Sequence, residues 1–398
     1  MYFSTGISQR QVLDLCRDAR LAEVSEKSGI TGFESRIDAL EKLAKEARLA
    51  MGETINKGSW LQLEALPGFS KALDELKQGL DGALELLELA APSGDQLENC
   101  SQRTQLVVDR LRALDSENSE QSIRWYETSK TGFRLFNTPL TIADKFRDLV
   151  CEQGQTVIFT SATLAISGNF SHYQQQLGLE NAHTDVWPGP FNYPQQALFY
   201  LPQDLPAPGD HEHTASVVAL AEKIIRASRG RAFLLFTSFR ALNEAASMLA
   251  GRLDYPLLVQ GEAPRHELLQ RFRQAGDAVL LGTGSFWEGV DVKGDALSVV
   301  IIDKLPFATP DDPVLQARSQ ALRNSGLNPF MTLQLPQAVV ALRQGAGRLI
   351  RSVDDRGVFV LCDTRLVSKS YGKIFTNSLP PMKRTRDFSE VSAFLEMN

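Results

Sequence analysis

Hydrophobic positions change their period along the chain. Between about residues 33 and 115 they recur every three or four residues. Ile37, Leu40, Ala44, Ala47 and Met51 share one helical face. Phe69, Leu73, Leu76, Leu80, Leu84 and Leu87 share a second, and Leu106, Leu111 and Leu114 continue in a third helix. Pro67-Gly68 parts the first two, and Ser93-Gly94 precedes the third. The spacing predicts long helices packed as a bundle. From about residue 166 the pattern shifts. Short apolar runs at 197–201, 232–236, 257–259, 278–281, 298–302 and 358–361 are separated mostly by longer segments at helical spacing. That alternation predicts an α/β fold with a parallel sheet covered on both faces. Between the two regions, 124–126 and 156–159 read as strands. The stretch 202–209 reads as a linker loop.

Composition divides the chain in the same place. Net charge is −6 over 398 residues. Residues 31–120 hold 17 acidic and 10 basic side chains, a net of −7, which leaves +1 for the rest. The acid belongs to the helical region, and basic stripes elsewhere can still meet phosphates. A hydrophobic content of 43% fills sizeable cores, and the length suggests two or three domains. Cys16, Cys100, Cys151 and Cys362 are 84, 51 and 211 residues apart, unlike a cluster-ligand run. They read as separate thiols in a reducing cytoplasm. The start has no signal-peptide pattern, and no apolar run approaches the ~20 residues of a membrane span.

Candidate chemistry concentrates where apolar runs end. Gln344-Gly345-Ala346-Gly347-Arg348-Leu349-Ile350-Arg351 follows Pro336, which can open a helix. On a continuous helix, positions 344, 348 and 351 fall within roughly 60° of one another, opposite Val339, Leu342, Ala346, Leu349 and Ile350. Two guanidinium groups beside an amide suit a polyphosphate; they also suit a solvated helix face. Gly345 and Gly347 each cost about 1 kcal/mol inside a helix, which suggests close approach of a ligand or backbone. The 278–281 run leads into Gly282-Thr-Gly-Ser-Phe-Trp-Glu-Gly-Val-Asp-Val-Lys-Gly294, a turn whose N–H groups can hold phosphate. The 232–236 run ends in Thr237-Ser238, and 156–159 ends in Thr160-Ser161-Ala162-Thr163. Trp287 reads as a packing anchor or a base-stacker. Asp303 with Lys304, and Asp363 with Arg365, read as local ion pairs or as coupling groups. His211-x-His213 reads as a solvated loop, without a third metal ligand nearby.

These junctions together resemble the iron–sulfur helicases related to XPD, of the bacterial DinG/YoaA type. Residues 160–164, 235–239, 282–294 and 344–352 match that family's third to sixth helicase motifs. The resemblance implies a RecA-like parallel-sheet motor domain with an all-helical arch insertion. It implies boundaries at 1–20 (remnant of the first motor domain), 21–122 (arch), 123–165 (return to the first motor domain) and 166–398 (second RecA-like domain). By the same resemblance, Arg348 and Arg351 are arginine fingers and Gln344 senses the nucleotide or positions water. Glu288, Gly289, Asp291, Thr160, Ser161 and Thr163 couple nucleotide to strand. Thr237, Ser238, Thr283 and Gly284 hold DNA phosphates. Arg124 and Trp125 meet single-stranded DNA, or serve as rim and core. ATP and Mg2+ are implied for the complete enzyme, with a [4Fe-4S] cluster whose ligands are absent here. No Gly-x-x-x-x-Gly-Lys-Ser/Thr loop and no Asp-Glu-x-His occurs in the sequence, so the residues finish an ATP site begun elsewhere.

The tail carries Lys383-Arg384-Thr385-Arg386 ahead of Phe388, Val391, Phe394 and Leu395. It reads equally as a docking peptide or as a helix closing its own domain. The resemblance names a clamp-loader accessory subunit of the replicative polymerase as a partner. Two alternatives compete with the helicase reading: a non-hydrolysing fragment that binds DNA or a partner, and an unrelated nucleotide-binding α/β enzyme. The 282–294 loop lacks the acidic arrangement of a dinucleotide site, which disfavours the second.

Overall fold

A computed structural model describes residues 3–52, 56–115, 121–151, 154–287 and 296–396. The chain forms two compact units, one of residues 1–152 with 309–329 and one of residues 153–308 with 330–398.

In the first unit, Ser8 caps the Gln9–Glu26 helix through a capping box with Gln11. Helices Phe33–Ala50, Phe69–Ala90 and Asp95–Asp115 pack with it. Their expected faces are buried: Ile37, Leu40, Ala44 and Ala47, then Leu73, Leu76, Leu80 and Leu87. The third face differs at one position. Leu106 is exposed, because it lies five residues, or about 140°, from Leu111; Leu97, Cys100, Val107, Leu111 and Leu114 fill the core instead. A four-stranded antiparallel sheet joins the bundle: β1 (Thr5–Ser8), β2 (Lys57–Ser59), β3 (Ser122–Ser129) and β4 (Gly132–Pro139), in the order β1-β4-β3-β2. The Pro313–Asn324 helix, capped by Asp312, packs on β2 and β3, with Lys57 Nζ 2.7 Å from the Asp312 carboxylate.

The second unit holds a seven-stranded parallel sheet. Its strands are β5 (Ala197–Tyr200), β6 (Ala232–Leu235), β7 (Leu257–Val259), β8 (Val279–Gly282), β9 (Val299–Ile302), β10 (Gly357–Leu361) and β11 (Lys383–Thr385), in the order β11-β5-β10-β9-β6-β8-β7. Side chains alternate between two cores, as a strand's period of two requires. Phe233 and Leu235 meet Phe272 and Phe359 on one face, while Ala232 and Leu234 meet Ile224, Ile225 and Leu242 on the other.

All six strands expected from 197 onward form. The strand expected at 156–159 does not: no described segment pairs with it, and Ile158 is 80% exposed. An extended apolar run becomes a strand only beside a partner that takes its backbone hydrogen bonds. The expected boundaries also shift. A cut at 20/21 would divide the Gln9–Glu26 helix, and residues 153–165 group with the parallel-sheet unit. Residues 309–329 leave the 166–398 segment for the first unit, because the Pro313–Asn324 helix buries Leu315 and Ser319 against β2 and β3.

Candidate functional site

The carboxyl ends of β6, β8, β9 and β10 gather the polar groups. Ser238 ends the turn after β6 and caps the Phe239–Leu249 helix, its Oγ accepting from Ala241 N at 3.2 Å. Thr237 N–H donates to Asp303 Oδ1 at 3.0 Å, and its hydroxyl lies 3.4 Å from Oδ2. Lys304 N–H donates to Oδ1 at 2.8 Å, with Lys304 Nζ 3.9 Å from Oδ2. Burial pushes the Asp303 carboxyl up to about 7, against the opposing pull of Lys304 and these hydrogen bonds. The Asp303 main-chain oxygen faces His213 Nε2 at 3.1 Å, while His213 Nδ1 faces Pro206 O at 2.9 Å. His213 is 2% exposed, so it is a buried clasp, in place of the solvated loop its sequence context suggested.

After β8, Gly284 is exposed, but Thr283 turns inward and is buried. Its N–H and hydroxyl both point at Gln260 Oε1, at 2.6 and 3.1 Å. Thr283 therefore braces the turn on Gln260 and does not present its hydroxyl to a DNA phosphate as expected. Glu288, Gly289 and Asp291 lie outside the described residues. After β10, Asp363 accepts from Leu305 N at 2.7 Å and holds Arg365 at 2.7–3.2 Å. That pair is structural, and it fixes the turn after β9.

The helix carrying the amide and arginines ends sooner than its sequence suggested. It spans Leu335–Ala346, with Gly347 as cap. Arg348 and Arg351 thus lie in the turn beyond it and do not extend a common helical face with Gln344. Inside the helix, Gly345 marks close packing: a Cβ there would stand 3.0 Å from Ile302 Cδ1 and 3.2 Å from the Trp287 ring. The close approach is made by protein side chains, and Trp287, 4% exposed, is the packing anchor. Gly345→Leu should cost about 1–3 kcal/mol by overpacking this contact; the check is a fall in thermal midpoint, and an unchanged midpoint would contradict the packing described. Arg348 Nε donates to Trp287 O at 3.0 Å and Gln344 O at 3.1 Å. The turn bearing Arg351 is held from both sides. Asp355 accepts from Arg351 N at 2.7 Å, Ser352 N at 2.8 Å and Ser352 Oγ at 2.8 Å. Gln196 Nε2 faces the carbonyl oxygens of Ser352, Val353 and Asp355 at 3.0–3.1 Å. Arg343 reaches back to the carbonyls of Ala162 and Ala165, fixing the turn that bears exposed Thr160 and Ser161 and half-buried Thr163. Sequence reading missed Arg343, Asp355 and Gln196. For Arg343 and Asp355 the only signal was nearness to the 344–352 motif, and Gln196, more than 150 residues from the turn it clamps, gave none.

Two expected contacts are corrected. Trp125 is 4% exposed: it stacks on Phe136 at 4.2 Å, donates to Thr138 Oγ1 at 2.8 Å and has Lys57 Nζ 4.6 Å from its ring. Arg124 lies over the Trp60 ring at 4.9 Å, 3.7 Å from Glu64. The strand itself was expected, and of the two roles the sequence left open, the contacts are those of core for Trp125 and rim for Arg124. In the tail, β11 pairs in parallel with β5. Thr385 is buried and bonded to Glu390, Lys383 pairs with Glu390 at 2.7 Å, and Arg384 donates to Thr376 O at 3.0 Å. Phe388 packs near Tyr200, and Val391 and Leu395 are buried in the core. The tail closes its own domain, so Thr385 and Phe388 cannot serve as parts of a free docking peptide.

The described cysteines Cys16, Cys100 and Cys362 are free and buried, with Cys16 pushed up to about 12 by burial. The first two pack in one unit and the third in the other. They do not fit an iron–sulfur cluster, and no group of three or more metal-ligating side chains occurs among the described residues. No helix among those residues is long and apolar enough to cross a membrane.

Residues 221–382 match the helicase C-terminal domain. The ATP-dependent DNA helicase YoaA of Escherichia coli K12 is 41% identical over 99% of this chain, and that of Haemophilus influenzae 39% identical over 99%. The ATP-dependent helicase DinG of Mycobacterium tuberculosis H37Rv is 38% identical over 68% of the chain and 41% of its own length. The chain spans 62% of the length of the two YoaA proteins. A solved XPD helicase aligns with TM-score 0.61 and 18% identity, over 96% of this chain and 65% of that one. That likeness speaks for the fold, a RecA-like parallel sheet with a helical insertion.

Proposed function

Because the chain belongs to the DinG/YoaA-type helicase family, we propose that it supplies the second half of an ATP-dependent DNA helicase acting in repair or replication in the cytoplasm. The observation that carries this reading is the clamped turn between Leu335–Ala346 and β10, which holds Arg351 by its main chain and Arg348 by its Nε. In the complete enzyme, Arg348 and Arg351 stabilise charge on the transferring phosphoryl group, and Gln344 meets the nucleotide or its attacking water. Thr237, Ser238 and Gly284 hold phosphates of single-stranded DNA. Thr160, Ser161 and Thr163, on a turn tied by Arg343 to the helix that leads into Arg348 and Arg351, couple cleft closure to the strand. ATP supplies the phosphoanhydride. The lysine and the magnesium carboxylates belong to residues outside this sequence, as do the ligands of the family's [4Fe-4S] cluster. Travel from 5′ to 3′ follows from the resemblance. A clamp-loader accessory subunit is the implied partner, and the exposed Lys383, Arg384 and Arg386 on the sheet's edge are what the tail leaves to meet it.

The second reading, a chain that binds DNA without hydrolysing ATP, is favoured by the missing phosphate-loop sequence. For this chain alone the two readings make the same forecast: single-stranded DNA binds, and ATP turnover stays at background with or without it. Phe239, 56% exposed beside Ser238, offers a ring to a base. Phe239→Ala should weaken oligonucleotide binding by about 1–3 kcal/mol, read by fluorescence anisotropy. Turnover that Arg348→Ala removes would show the chain to hold a whole ATP site and would overturn this assignment.

A further inference from the structure

Asp303 places a carboxylate among the donors that the proposed function gives to a DNA phosphate. It stands at the end of β9, beside the end of β6, and is 4% exposed. Thr237 N–H and Lys304 N–H both donate to its Oδ1, and the Thr237 hydroxyl and Lys304 ammonium face its Oδ2. An ionised carboxylate only accepts hydrogen bonds. While Asp303 is ionised, the Thr237 hydroxyl proton is directed inward and only its lone pairs face outward, toward a phosphate that also accepts only. Once Asp303 is neutral, its own O–H can donate to Thr237 Oγ1. The Thr237 proton is then released to an outside acceptor, and a buried negative charge beside that acceptor disappears.

We propose that Asp303 is a positioning residue for DNA binding: it sets the direction in which Thr237 donates, and its ionisation opposes the phosphate contact at this strand end. The inference rests on the DNA-binding reading above and adds to it a control of that contact by proton uptake. The groups facing Asp303 are Lys304, the Cys362 thiol and Arg365, the last already held by Asp363. His213 touches only the Asp303 main-chain oxygen. All of these are shared by wild type and Asp303 variants, so they cancel in a difference curve. The carboxyl's elevation to about 7 puts the expected change near neutrality.

The test is binding of a fluorescent oligo(dT) to this chain between pH 6 and 8.5 at fixed ionic strength, since salt alone moves such affinities. Asparagine keeps an oxygen for the two N–H groups and offers an N–H to Thr237. Asp303→Asn should therefore bind about tenfold more tightly than wild type at pH 8.5, the worth of one hydrogen bond to a charged group. The advantage should shrink toward none at pH 6. Asp303→Ala, which removes the same charge without the brace, should bind more weakly than Asp303→Asn at every pH. Adding Thr237→Val should erase the asparagine gain. Equal gains for Ala and Asn would reduce the effect to bulk charge and overturn the positioning role, as would a gain that is constant with pH. Thermal midpoints of all variants report whether a loss is merely unfolding. Binding by wild type that ignores every Asp303 variant sinks this inference alone. No binding by any form at any pH sinks the DNA-binding reading and this inference together.

Discussion

Arg348→Ala, introduced into the complete helicase, is expected to lower ATP turnover by roughly 10³-fold or more, the range set by removing an arginine that meets a transferring phosphoryl group. The geometry makes the effect separable from folding. Arg348 Nε is spent on Trp287 O and Gln344 O, a fork held from behind. Arg348→Lys keeps the charge and loses the fork, so it should recover little of the activity. Arg351 tests the same idea through its support. Its main-chain N–H and that of Ser352 rest on the Asp355 carboxylate, which is buried. Asp355→Asn keeps the shape of the turn but weakens its grip, and should lower kcat more than it raises KM for ATP. Single-stranded DNA affinity without nucleotide should stay near wild type in each variant, because the proposed function gives these groups to ATP and not to DNA. Full turnover by Arg348→Ala, with unchanged thermal stability, would remove the arginine from catalysis and leave the resemblance as a statement of fold only.

Patterns of local origin were legible in the sequence, and patterns set by a partner segment were not. The six strands from Ala197 to Leu361 announced themselves because each is apolar on both faces, as a strand between two helical layers must be. The helix faces at Ile37–Ala47 and Leu73–Leu87 followed from their period alone. β11 was hidden because an edge strand bears polar side chains: Lys383 and Arg384 read as a basic run, and only the pairing with Leu198 and Phe199 makes them a strand. The converse error arose at 156–159, where an apolar run pairs with no strand among the described residues. At the site, the presentation of several residues differs from what the sequence suggested. A repeating helix would put Gln344, Arg348 and Arg351 side by side, but the helix ends at Ala346, and Asp355 with Gln196 holds the turn that follows. Thr283 and Trp125 carry functional chemistry in their side chains, yet Gln260 and Phe136 occupy them. No periodicity in the chain records those long-range contacts.

Truncation after Met382 is the change expected to cost the parallel-sheet unit most. It removes β11, which covers the outer edge of β5, and the Phe388–Glu396 helix, which packs on β5, β10 and the His213–Ala227 helix. Val391 and Leu395 are 0% and 2% exposed, and burial of each such side chain contributes about 1.5–3 kcal/mol. Phe388 and Phe394 add partial burial, and the Arg356 guanidinium lies 4.9 Å from the Phe394 ring. The β5 backbone would also lose its edge partners, including the bond from Leu201 N to Thr385 O at 2.9 Å. Against a net stability of about 5–15 kcal/mol for a typical domain, the loss is enough to leave the sheet unfolded or aggregated. Circular dichroism and size-exclusion chromatography of the truncated chain are the checks. Lys383→Glu with Arg386→Glu supplies the contrast, since both side chains are exposed and the strand and helix remain. That variant should stay folded, and any loss of partner binding in it would come from the exposed edge itself. A truncated chain that melts at the wild-type temperature would mean that the terminal helix is dispensable to the core, and the docking-peptide reading of the tail would replace the one drawn from its burial.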